Sequence, residues 1–161
     1  PVKYFFKPMM YLYCVFLFFY WFCFFKKLHK IKIESKIIYC LALLSVIFLA
    51  LYITFLGESK IYSFFKRIGI YIYILFIVLS QYLESKLLIK NFNKIEHLFY
   101  AKFLKIKYYL SSLLVISGLI LLPILMMKID NFPEVKNIIS WNYFLLVQIY
   151  FYLVFLSLKK N

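Results

Sequence analysis

Uncharged apolar runs alternate with short basic segments along the whole chain. Crossing the roughly 30 Å hydrocarbon core takes about 20 apolar residues in a helix, and no fewer than about 17. Residues 9–25, 37–56, 68–83, 108–127 and 138–158 form five such runs, and none holds a Lys, Arg, Asp, Glu or His between those limits. The third is the shortest and relies on tilt or on snorkelling flanks. Continuous apolar runs lack the alternation of a barrel strand, and lipid demands backbone groups paired within the segment, so the predicted elements are helices. The expected fold class is an all-α integral membrane protein, one membrane domain over residues 1–161 with about five transmembrane helices.

One segment between the runs carries a pattern of its own. Over residues 84–107 apolar side chains recur at Leu88, Phe92, Ile95, Phe99, Phe103 and Ile106, while Lys86, Lys90 and Lys94 line another face. Steps of three and four are helical. They predict an amphipathic helix between the third and fourth spans, with Lys86, Lys90 and Lys94 as contacts for anionic lipid headgroups or a partner. The other reading open at this point extends the third and fourth helices out toward a neighbouring subunit.

Composition excludes the remaining fold classes. Of 161 residues, 66% are hydrophobic and 24% aromatic, against about half apolar in a soluble domain. A single soluble core has no room for 20 Phe and 16 Tyr, and the same content excludes disorder. Three Cys beside or within apolar runs are too few for a disulfide scaffold. Gly, Ala, Arg and Pro, whose codons are G- and C-rich, are scarce beside Phe, Tyr, Ile, Lys and Asn. That bias points to an AT-rich genome, so aromatic abundance by itself marks no site.

Charge reads as topology. Twenty Lys and Arg stand against six Asp and Glu, and the basic residues lie between or beyond the spans. Five spans place seven of them on one face and thirteen on the other, which puts the C-terminus, residues 26–36 and residues 84–107 on the cytoplasmic or matrix side and the N-terminus outside. Lys at span ends meets lipid headgroups, and with no RNA-binding motif present nucleic acid is not an expected partner. The first run is too aromatic, and lacks the small-residue cleavage pattern, for a signal peptide.

Candidate chemistry is sparse. Haem ligation within the membrane needs His at span depth, whereas His29 and His97 lie between runs. Arg67 stands at the mouth of the third span. Cys14, Cys23 and Cys40 are spaced too widely for a zinc site, so neither a metal nor a cofactor held by this chain is expected, and no catalytic residue stands out. Glu34, Glu58 and Glu84 each open a Glu-Ser-Lys tripeptide; Glu58 and Glu84 end spans and read as headgroup-level charges paired with Lys60 and Lys86, a proton relay being the other reading. Gly69, one of three Gly, opens the third run. It permits close backbone approach or a π-bulge, with Tyr71 and Tyr73 as hydrogen-bonding neighbours. Pro123 predicts a modest kink, or the exit, of the fourth helix.

Residues 37–83 carry a resemblance: an apolar helix, then Leu56-Gly57-Glu58, a short connection, and Ile68-Gly69-Ile70-Tyr71-Ile72-Tyr73-Ile74-Leu75-Phe76. This order resembles subunit 6 of NADH:ubiquinone oxidoreductase, respiratory complex I, and the composition is similar to that of proteins encoded in ciliate mitochondria. The resemblance implies an inner-membrane subunit of about five spans, without cofactors, beside other membrane subunits of a large complex. It matches Gly69 to the glycine opening the third helix, puts Tyr71 or Tyr73 near that helix's π-bulge, and matches Glu58 to the acid before it, all as proton-path or helix-distortion candidates. The long loop departs from the family, standing between helices three and four rather than four and five. Two other readings stay open: a lineage-specific accessory subunit of a respiratory or ATP-synthase complex, and part of a small bacterial transporter or export protein. The absence of charge within the runs weighs against an ion-coupled transporter that works alone.

Overall fold

The computed structural model describes residues 2–33, 35–55, 63–126 and 133–158. Helices α1 (Val2–Lys30), α2 (Lys36–Phe55), α3 (Ser63–Lys90), α4 (Phe92–Ile95), α5 (Ala101–Met126) and α6 (Pro133–Ser157) follow in order. No strand occurs among the described residues; Phe99 and Leu158 form an isolated antiparallel bridge. Phe5–Lys30, Lys36–Phe55, Ile68–Lys90 and Ala101–Ile120 are long and apolar enough to cross a membrane, and Asn142–Ser157 is a shorter apolar stretch. Large apolar side chains stand outward on these helices, with Phe16 64%, Leu119 67% and Phe155 70% exposed. Such surface suits lipid and not water. The architecture is that of a multi-pass helical membrane protein.

The chain forms two compact units, Pro1–Ser80 and Gln81–Asn161. In the first, α1 and α2 pack together. Their buried positions are Cys14, Leu17, Trp21 and Leu28 on α1, and Ile38, Ala42, Ser45, Leu49 and Ile53 on α2. Spacings of three and four draw one seam along each helix, as in a coiled coil. The turn between them is built by Lys32, whose φ of 57° is left-handed, while the N–H groups of Ile31 and Ile33 both reach the Leu28 carbonyl at 3.1 Å. Such a turn satisfies carbonyls that the helix end leaves open. Phe25 stacks on Tyr39 at 4.4 Å just beyond it.

In the second unit, the single amphipathic helix expected over residues 84–107 is absent. α3 runs on past Leu83 to Lys90, α4 is one turn, and α5 begins at Ala101 rather than Tyr108. α3 ends just before Asn91, whose backbone N–H closes the last i→i−4 bond, on the Leu87 carbonyl at 3.1 Å, and whose side-chain Nδ2 donates to the same oxygen at 2.9 Å. The chain then turns, and the Tyr100 N–H joins the Ser157 carbonyl at 2.9 Å. Breaks at 91 and 96–100 rotate the apolar stripe out of phase, so Leu88, Ile95 and Phe99 are buried while Ile106 is exposed. The segment is the tip of a helical hairpin, as the extension reading has it. α5 and α6 pack along a seam of Leu104, Lys107, Ser111 and Leu114 against Tyr143, Val147, Tyr150, Val154 and Ser157.

Candidate intramembrane polar site

A buried charge, Lys107, occupies that seam where apolar residues are the rule, and its partner comes from α3. On α3, Gln81, Glu84, Ser85 and Leu88 share one face through steps of three and four, and all four are buried. Lys107 comes from α5 and donates to Glu84 Oε1, forming an ion pair in which neither side chain has any exposed surface. The pair lies six residues from each helix end, α3 ending at Lys90 and α5 starting at Ala101, about 9 Å along the helices from those ends at 1.5 Å per residue.

Tyr150 of α6 closes the site. Its ring centroid is 4.7 Å from Lys107 Nζ, a cation–π contact strengthened by desolvation. Its hydroxyl donates to the Gln81 carbonyl at 2.7 Å. Ser85 Oγ reaches the same carbonyl at 2.8 Å and the Tyr150 hydroxyl at 2.9 Å, so two protons are shared among three oxygens. Gln81 Nε2 donates to the Val147 carbonyl at 3.2 Å, while Gln81 Oε1 is buried without a hydrogen-bond partner.

An ion pair removed from water gains back its desolvation only through close contact and further hydrogen bonds. Within a bilayer, ionisable groups are costly and mark functional positions. Chemically, movement of one proton is all that separates carboxylate with ammonium from carboxylic acid with amine in this pair.

Glu84 was expected at headgroup level beside Lys86, and every charge outside or at the end of a span. The structure corrects the pairing: Glu84 pairs with Lys107, and Lys86 is exposed with Nζ 6.0 Å from the Tyr82 ring centroid. A local signal for the site exists in Ser80-Gln81 and Glu84-Ser85, polar pairs one turn apart, with Lys107 and Ser111 likewise spaced. What locality hides is the partner, 23 positions away.

Of the other candidates, Gly69 is buried against α2. A Cβ there would stand 3.0 Å from the Tyr52 backbone nitrogen and 3.1 Å from the Phe48 carbonyl oxygen. Tyr73, one turn on, is fully buried with its hydroxyl 3.3 Å from that of Tyr13; Tyr71 is half-buried off that face. α3 is α-helical through Tyr71 and Tyr73, with no π-bulge. Glu58 lies outside the described residues, and α5 continues through Pro123 to Met126. Lys90 and Lys94 are exposed, like Lys86. Among the described residues no cluster of three or more His, Cys, Asp or Glu is placed to hold a metal, and Cys14, Cys23 and Cys40 are free thiols. Comparison of the chain with protein-family models, curated proteins and solved structures finds no match.

Proposed function

We propose that this chain is a membrane-arm subunit of respiratory complex I of the subunit 6 type, in the mitochondrial inner membrane, with α6 as its fifth span. It holds no cofactor and shapes the path along which protons move as NADH reduces ubiquinone. Its partners are the neighbouring membrane subunits and anionic lipid, the latter met by Lys86, Lys90 and Lys94. The observation that carries this reading is Gly69 pressed against the backbone of α2, because the quoted resemblance rests on this helix pair and on a glycine at this point. Migration of the chain on a mild-detergent native gel tests it. Co-migration with complex I, and cross-links from Lys86 or Lys94 to its core subunits, are expected; recovery only with ATP synthase or the terminal oxidase would sink it.

A second reading draws on the buried Glu84–Lys107 pair. Charge within a span removes the objection to a small proton-coupled transporter or export protein. That reading predicts co-purification with a bacterial envelope instead of mitochondria.

A further inference from the structure

The Glu84–Lys107 site holds more than a latch between helices requires. A latch needs two groups in contact, and an apolar pair would serve it at less desolvation cost. Here the contact is direct, so transfer of a proton between Lys107 and Glu84 requires no movement of either helix. Gln81 Oε1, one turn before Glu84 and without a partner, is an acceptor suited to an internal water.

We propose that Glu84 and Lys107 form a proton-exchange site within the membrane, the species carried being the proton itself. In the first step an Nζ–H bond of Lys107 breaks and an O–H bond forms at Glu84 Oε1, leaving a neutral amine beside a carboxylic acid. In the second, Glu84 releases its proton to one side and Lys107 takes one up from the other, restoring the ion pair. One proton crosses the pair per cycle, and net charge returns to its starting value. Tyr150, brought by α6, is the titratable group over the ammonium; its ring favours the charged amine and its hydroxyl is held at the Gln81 carbonyl. Tyr82 of α3 and Tyr108 of α5, adjacent in sequence to the site, stack on each other at 5.9 Å. The inference rests on α3, α5 and α6 and holds whichever complex contains the chain.

Infrared difference spectra of the full chain in liposomes, recorded as pH is lowered in H2O and in D2O, test it. The intact chain should show the carbonyl band of a buried carboxylic acid, shifted in D2O. Glu84→Gln should lose that band. The apolar double variant Glu84→Leu/Lys107→Met guards against misfolding. With helix content and assembly unchanged, it should lack the band, and proton-coupled turnover of the native assembly should fall about 100-fold, the lower range for a lost acid–base group. No band in the intact chain, an undiminished band in Glu84→Gln, or full turnover in the assembled double variant would each overturn the proposal.

Discussion

Lys107 has no exposed surface and touches Glu84 and the Tyr150 ring, so its charge is compensated by neighbours rather than by water. Removing either charge leaves the other buried and unpaired. Lys107→Met alone should therefore destabilise the protein by about 3–5 kcal/mol. Adding Glu84→Leu should recover most of that loss, because the second substitution removes the stranded carboxylate and fills the seam with apolar volume. Unfolding in lipid–detergent micelles by heat or SDS, run as a double-mutant cycle, measures both. A loss in the double variant equal to the sum of the Lys107→Met and Glu84→Leu losses would show that the two side chains do not depend on one another. The Tyr150 hydroxyl is a smaller contributor: Tyr150→Phe keeps the ring over Lys107 and removes bonds to the Gln81 carbonyl and Ser85, a loss of about 1 kcal/mol.

Between elements, glycine decides how near two helices come. A methyl at Gly69 would press on the backbone of Tyr52 and Phe48 in α2, and backbone cannot turn aside as a side chain can. Gly118 differs, since a methyl there meets the Tyr143 hydroxyl, the far end of a side chain bonded to the Leu114 carbonyl at 2.7 Å. Gly69→Leu should impair assembly of the parent complex or its proton-coupled quinone reduction far more than Gly118→Ala, which costs one hydrogen bond, about 1 kcal/mol. Abundance on a native gel and quinone reductase activity measure this; unchanged values for Gly69→Leu would remove any role for the close approach. The helices themselves were legible as apolar runs because lipid tolerates little else. Their ends near Glu84 and Lys107 were not. Hydropathy stops at a charge, and only the fold shows that the Glu84 charge is neutralised from α5. The apolar stripe over residues 84–107 misled for a related reason, since periodicity survives in separate short pieces and carries no sign of the turn that Asn91 begins.

For the whole molecule the open quantity is the number of crossings, which α6 decides. Its 25 residues extend about 37 Å at 1.5 Å per residue, enough for a 30 Å core. The apolar part, Asn142–Ser157, is shorter than the other four candidates, and the polar start holds Glu134, Lys136 and Asn137. A helix can still cross with such a start when its first turns stand in the headgroup layer. Charge distribution favours crossing: with the paired Lys107 set apart, five spans set twelve basic residues against seven, Lys159 and Lys160 being on the richer side. If α6 crosses, the two ends of the chain face opposite sides; if it lies at the interface, they face the same side. Cysteines introduced at Lys3 and Lys160, in a variant with Cys14, Cys23 and Cys40 replaced, should react with a membrane-impermeant maleimide in opposite sealed preparations, position 3 from outside the inner membrane and position 160 from the matrix side. Labelling of both from one side would reduce the crossings to four and reverse the assignment of either end.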